Sequence, residues 1–502
     1  MEGRFVRTKY GIIAGIEKDK VVIFKGVPYA RPPIEDLRFR EPEEPVSWEG
    51  IRECNRFADI PFQPEGWVGE KALEENKQSE DCLYLNIWAP MKNKNAELPV
   101  LVWIHGGGFQ GGCAHEGLYD GMEFAKRNIV VVSISYRLGV FGFLAHSGFS
   151  EESVHHAGGN YGILDQIQAL KWVHENIAEF GGDPQNVTIM GQSAGGMSVA
   201  CLMTSPLAKG LFHKAIIQSG GPKPKQFPDF TEIEEQCKLL MEKLQISDYR
   251  ELRKADAKVL TQMKMPLMSG GLPYQPVIDK YVLPEDPYEA FESGRIHQVP
   301  LLIGNTVDET VFSPLLNTCQ SAFEKSVIEY FGDMAQEFYD IYQSECDWKT
   351  AAAMAGKDFS FYHIQNLTDQ MLKTFKSEVY RYVFGQPLIL EDGTVLGAGH
   401  SSELFFVFNT LPCRNTALDG TRLKVKNSDQ DKALSRAINE YWAEFVKTGT
   451  PYAENCPIWE SIASGGYMNF HEREFKMKKN ATGEKQALWS KALNSNLKRS
   501  EN

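Results

Sequence analysis

The sequence predicts an α/β fold, a large mostly parallel or mixed sheet with helices on both faces. Six short apolar runs, Leu83 to Trp88, Val100 to Ile104, Ile129 to Ser135, Val187 to Met190, Ala215 to Gln218 and Leu301 to Ile303, have the length and composition of buried strands. Between the third and fourth, Asp165 to Phe180 places Ile167, Leu170, Val173 and Ile177 three or four apart, on one face of a helix. That helix is expected to stop at Gly181-Gly182-Asp183-Pro184. Strands alternating with helices imply crossovers between parallel neighbours.

At the N-terminus, Tyr10 to Gly15 and Val21 to Phe24 are expected to form a small antiparallel β element, closed by the polar turn Glu17-Lys18-Asp19-Lys20. Two stretches, roughly 222 to 298 and 311 to 378, are mainly helix-like and depart from the alternation. Turn signals such as Ser269-Gly270-Gly271 and Pro284-Glu285-Asp286-Pro287 interrupt them. They are expected to be helical insertions over the active edge of the sheet, forming cap and pocket walls within a single domain spanning 1–502. Leu434 to Val446, with Ile438, Trp442 and Phe445 on one face, predicts a packed helix, and residues 498 to 502 are expected to fray.

The 502 residues exceed an average domain, but large α/β enzymes reach this size around one sheet. With 42% hydrophobic and 24% charged residues the chain has ample core material, which excludes disorder and coiled coil. The net charge of -13 is dispersed, with no Lys/Arg stripe interleaved with aromatics, so nucleic acid is not an expected partner. Nine scattered cysteines contain no C-x-x-C pair and give no support for a zinc or thioredoxin-like site. Met1 to Arg7 lacks an apolar signal core, and no run of about 18 apolar residues occurs. The expectation is a cytoplasmic protein with no membrane span, monomeric or weakly homo-oligomeric.

The chemistry centres on Gly191-Gln192-Ser193-Ala194-Gly195, a G-x-S-x-G string between the strand-like Val187 to Met190 and the small, apolar Ala194 to Met203. Such a serine sits on a strained strand-to-helix turn that lifts its hydroxyl off the sheet. Attack on a carbonyl builds charge on oxygen, and preset N–H donors aimed at it supply the largest catalytic effect. After the strand ending at Ile104, the run His105-Gly106-Gly107-Gly108-Phe109 can turn backbone amides toward a substrate. Gly107, Gly108 and Ala194 are therefore the candidate oxyanion donors. Gly106 to Gly111 also matches G-x-G-x-x-G, but the next strand ends Ser135-Tyr136-Arg137 without the acidic residue a dinucleotide site requires.

A serine needs a base, and this motif places an acid and then a histidine downstream. Of the eleven histidines, His400 and His471 lie far enough on. His471 precedes the charged Glu472-Arg473-Glu474, which reads as solvated surface, whereas His400 follows Gly397-Ala398-Gly399 in a loop. Asp308 and Glu309 follow the run ending at Asn305, where open sheets place their sites, and spacing does not choose between them.

The chain resembles the type-B carboxylesterase/lipase family, the cholinesterase-like branch of the α/β-hydrolases, over nearly its whole length. The resemblance rests on Phe24 to Ala30, Glu80 to Asn86, Gly159 to Gln166, Phe180 to Pro184 and Tyr441 to Phe445. It implies the α/β-hydrolase fold, Ser193 as nucleophile, Glu309 as acid and His400 as base, with no metal or organic cofactor. It also implies oxyanion donors at Gly107, Gly108 and Ala194, and leaves Asp308 as a neighbour of the acid. The expected activity is hydrolysis of a small-molecule carboxylic ester through an acyl-enzyme. The competing expectation is a catalytically silent binding protein, since some members of the family lost catalysis; those typically lack the serine.

Many relatives carry glutamate before the nucleophile. Gln192 removes that charge and points toward neutral rather than cationic esters. Cys54 and Cys82 resemble a disulfide pair of secreted animal relatives, but the absent leader favours thiols, and the whole resembles the bacterial carboxylesterases of the family. Phe109, Leu267, Met268, Phe312 and Phe405 are candidate pocket walls, although the same side chains suit ordinary core packing.

Overall fold

A computed structural model describes residues 4–66, 77–91, 96–268, 271–310, 313–343, 346–411, 415–416, 422–423, 425–426, 428–471 and 474–498. Among the described residues eleven strands form the main sheet: β1 (Ile16–Lys18), β2 (Val21–Pro28), β3 (Tyr84–Pro90), β4 (Leu98–Ile104), β5 (Val130–Ile134) and β6 (Gly182–Gln192), then β7 (Lys214–Gln218), β8 (Leu301–Thr306), β9 (Val379–Gly385), β10 (Gly466–His471) and β11 (Glu474–Lys479). Their spatial order is β11-β10-β9-β8-β7-β6-β4-β5-β3-β2-β1. From β5 through β4 to β10 every neighbouring pair is parallel. Antiparallel pairs flank that centre, β3 on β5, β2 on β3, β1 on β2 and β11 on β10. The chain has the α/β-hydrolase fold.

Every residue of β5, β7 and β8 is buried, because helices cover both sheet faces and leave no solvent-facing side to alternate toward. On one face α1 (Tyr161–Asn176) and α2 (Ala194–Thr204) contribute Ile167, Leu170, Trp172 and Val199 to the larger core. A short 3₁₀ turn, Ile177–Phe180, follows α1 and ends at Gly181 with φ 81°. Further on come α3 (Phe230–Leu244), α4 (Pro287–Ser293), α5 (Gln320–Phe331), α6 (Ala335–Tyr342), α7 (Trp348–Thr374) and α8 (Leu404–Val407), followed by α9 (Asp429–Thr448) and α10 (Glu484–Lys498). On the opposite sheet face α9 packs Ile438, Trp442 and Phe445 against Trp103, Tyr382 and Phe470. A third cluster joins α5, α6 and α7 to α10 through Phe323, Phe331, Phe338 and Trp489. Among the described residues no helix is long and apolar enough to cross a membrane.

The N-terminal element differs from expectation. Gly11–Ala14 pairs with Phe5–Thr8 and Ile51–Glu53 in a separate three-stranded sheet, while Val21 to Phe24 pairs with Ile16–Lys18 inside the main one. Asp19 and Lys20 both adopt positive φ, 49° and 63°, so two residues close the hairpin and Glu17 and Lys18 belong to its strand. Gly15 divides the two sheets, because a Cβ there would lie 2.8 Å from the Ile23 carbonyl. Most of the predicted fraying segment, 499–502, lies outside the described residues.

Candidate active site

The elbow forms where β6 meets α2. Ser193 has φ 57° and ψ −127°, a conformation that favours glycine in most contexts. Its N–H donates to the Gln218 carbonyl at 2.8 Å, tying the turn to the end of β7. The turn is so tight that a Cβ on Gly195 would lie 2.1 Å from the Ile104 carbonyl oxygen, and one on Gly191 would lie 2.2 Å from that of Gly195. Neither position admits a side chain.

Opposite the elbow, the glycine loop leaves β4. A Cβ on Gly106 would lie 3.0 Å from that of Ser193, so loop and serine are in near contact. Gly107 and Gly108 have φ 106° and 59°, and a Cβ on Gly107 would overlap the Gly111 carbonyl oxygen at 2.0 Å. Among the described residues, no acceptor takes the N–H of Gly107, Gly108 or Ala194. His105 is fully buried, its Nδ1 2.8 Å from the Gly106 carbonyl and its ring stacked on Tyr136. Burial pushes its pKa down to about 4 and keeps it neutral.

Glu309 follows β8, and His400 lies just before α8. A parallel β-bridge between Asp308 and Gly399 brings the two segments together. Nδ1 of His400 then lies 2.6 Å from Oε2 of Glu309. The other oxygen, Oε1, accepts from Thr306 through its N–H at 3.2 Å and its hydroxyl at 2.8 Å. Burial pushes the Glu309 carboxyl up, but the His400 charge and these hydrogen bonds outweigh it and hold the group below its usual range. Burial lowers His400, yet Glu309 outweighs that and raises it above an ordinary histidine. Asp308 points elsewhere, accepting from the Thr310 hydroxyl at 2.9 Å with Lys357 at 3.7 Å.

A cavity opens against Ser193. Its walls include Met197 of α2, Ser219 and Lys223 after β7, and Ser360, His363 and Ile364 of α7. Of the candidate pocket residues, the four described ones, Phe109, Leu267, Met268 and Phe405, are not among the residues lining this cavity. Phe109, Met268 and Phe405 are core side chains, Phe109 packing edge-on against Phe143 and Phe405 joining the cluster under α9. Leu267 is exposed on the surface, and Phe312 lies outside the described residues. The apolar character that suggested a pocket wall served ordinary burial in the three core cases. The wall residues come from α2, from the segment after β7, from the end of β8 and from α7, and their meeting over the sheet is a tertiary outcome. Sequence reasoning also passed over Glu403, a buried carboxyl one helical turn beyond His400. Its spacing from the histidine was the available signal.

Cys54 and Cys82 are separate buried thiols. His471 ends β10 and packs against Gly385, where a Cβ would meet its Cδ2 at 2.2 Å. It is thus a sheet residue, and the charges at 472 and 473 that made it look solvated lie outside the described residues.

The model of the carboxylesterase family matches residues 2–489. The chain is 36% identical over 485 residues to fumonisin B1 esterase of Sphingopyxis macrogoltabida, covering 91% of this chain and 84% of that protein. It is 35% identical over 487 residues to para-nitrobenzyl esterase of Bacillus subtilis (strain 168), covering 91% and 93%. Among solved structures, a PNB esterase superposes with TM-score 0.81 at 33% identity, covering 97% of this chain and 100% of the other. A thermophilic PNB esterase reaches 0.83 at 32% identity with the same coverage. With a family match from end to end and esterase relatives at this identity, the chain belongs to the carboxylesterase family and is a carboxylic-ester hydrolase.

Proposed function

We propose that hydrolysis proceeds by serine acyl transfer. His400 takes the proton of Ser193, whose oxygen attacks the ester carbonyl, and the N–H groups of Gly107, Gly108 and Ala194 hold the tetrahedral oxyanion. His400 passes the proton to the departing alcohol, leaving an acyl-enzyme. Water, deprotonated by the same imidazole, releases the acid. Glu309 fixes the tautomer with the proton on Nδ1 and stabilises the imidazolium. The observation that carries this reading is the 2.6 Å contact between Glu309 and His400 within the site that holds the strained Ser193.

The substrates of this reading are small neutral carboxylic esters, since Gln192 brings no charge to attract a cationic group. One domain, with the segments 222–298 and 311–378 inserted as cap and walls, acts in the cytoplasm as a monomer or weak homo-oligomer.

Ser193→Ala tests the reading. It should lower kcat for a short p-nitrophenyl ester by about a millionfold with an unchanged circular dichroism spectrum. A fluorophosphonate probe should label Ser193 in the unmodified protein. Retained turnover in the variant overturns the mechanism, and a folded protein that neither labels nor turns over esters supports the silent-binder alternative.

A further inference from the structure

Three residues beyond His400, at the start of α8, a second carboxyl group is enclosed in the same site. Glu403 is 1% exposed. Its Oε1 accepts one long hydrogen bond, 3.3 Å, from the Gln218 amide. Its Oε2 is buried and has no hydrogen-bond partner among the described residues, and the same holds for Oε1 of Gln218. These are two orphaned acceptors on neighbouring groups. A proton on Glu403 would turn one of them into a donor, whereas a bare carboxylate would leave both unsatisfied and bury a charge held only by neutral N–H groups, the Gln218 amide and the backbone N–H of Glu403. Glu309, already held ionised against His400, adds a like charge nearby.

We propose that His400 and Glu403 compete for a single proton and that the active form carries it on Glu403. This rests on the reading of His400 as the base. Starting from the doubly protonated pair, one proton leaves to solvent as pH rises. If the remaining proton sits on a Glu403 oxygen, the imidazole Nε2 keeps the lone pair that accepts the Ser193 proton. If it sits on His400, the pair is a buried zwitterion and Ser193 has no base. Glu403 is thus a positioning residue for charge: when it holds the shared proton, Glu309 alone faces the imidazole as an ionised carboxylate.

The groups around the pair agree with this assignment. Burial and Glu309 push the Glu403 carboxyl up to about 7, with His400, the backbone N–H of Glu403 and Gln218 opposing, and Tyr382 of β9 faces the same carboxyl, its hydroxyl pushed well up by burial and by Glu403. On His400, burial and Lys223 from beyond β7 act downward, while Glu309 and Glu403 act upward. Lys223 is itself lowered by burial and raised by Glu309. Gln192, from the elbow, contributes an uncharged amide.

Because an ionised Glu403 would hold the proton on His400, the two titrations overlap and spread the acid limb of activity. The experiment is the pH profile of kcat/KM for phenyl acetate, followed by pH-stat, in the unmodified protein, Glu403→Gln and Glu403→Met. The unmodified enzyme should show an acid limb broader than a single-proton curve. Both variants, which mimic a neutral group, should remain active at neutral pH and show a single-proton limb with its midpoint lower by about one pH unit. A single-proton limb in the unmodified enzyme overturns the proposal without any variant. So does an unmoved midpoint in either active variant, or a folded Glu403→Gln that is inactive at every pH. Turnover surviving in His400→Ala would instead remove the base assignment, an outcome distinct from these.

Discussion

The side-chain amide of Gln192 lies 3.1 Å from Nε2 of His400. Nδ1 of the same ring is engaged by Glu309, so each imidazole nitrogen has a fixed polar neighbour. Gln192 is 3% exposed, and its contact is with the histidine. The position just before the serine therefore touches His400 directly, and on the proposed mechanism its charge would act on proton transfer as well as on the choice of ester.

Gln192→Glu should place a carboxylate against Nε2. A negative neighbour favours the imidazolium, so the pKa of His400 rises and a higher pH is needed to free the base. The acid limb of kcat/KM should move up by about one pH unit, with activity below neutral pH falling accordingly. The ratio of choline-ester to neutral-ester turnover should rise in the same variant. A limb that stays in place would show that residue 192 does not address His400.

Glu309→Gln should lower kcat by roughly a thousandfold or more, because an amide at the 2.6 Å contact no longer selects the productive tautomer or stabilises the imidazolium. Asp308→Asn should cost under about tenfold, since that side chain is turned toward Thr310 and Lys357. Steady-state kinetics on one ester decides between them, and the reverse ranking would assign the acid to Asp308.

Gly195→Ala should fail on stability before catalysis. Its Cβ would sit 2.1 Å from the Ile104 carbonyl, a backbone atom of β4 that cannot swing aside. A loss of about 3 kcal/mol or more is expected by urea denaturation. A variant as stable as the native protein would contradict the packing of α2 against β4.

Ile364→Ala should enlarge the cavity beside Ser193. The ratio of kcat/KM for butyrate over acetate esters should rise by about tenfold, the range that one or two methylenes command in an apolar pocket. The melting temperature should fall, because truncating a buried isoleucine costs about 2–4 kcal/mol. An unchanged acyl preference would place the acyl chain on another wall.

Much of this protein can be read along the chain because its signals are local. Apolar runs such as Val130 to Ile134 become buried strands, the spacing in α1 gives its face, and glycines at 191 and 195 mark an elbow that tolerates no Cβ. Ser193, the glycine loop and His400 stand out for the same reason: each is a short motif with its own backbone requirement. What the chain alone did not determine depends on distant segments meeting. Spacing left Asp308 and Glu309 equivalent, and only the bridge from Asp308 to Gly399 turns one carboxylate toward His400 and the other toward Lys357. The cavity wall from α7, the core burial of Phe109 and Phe405, and the enclosure of Glu403 follow likewise from packing. Hydrophobicity tells a side chain to leave water, and the tertiary structure decides whether it does so in a core or beside a substrate.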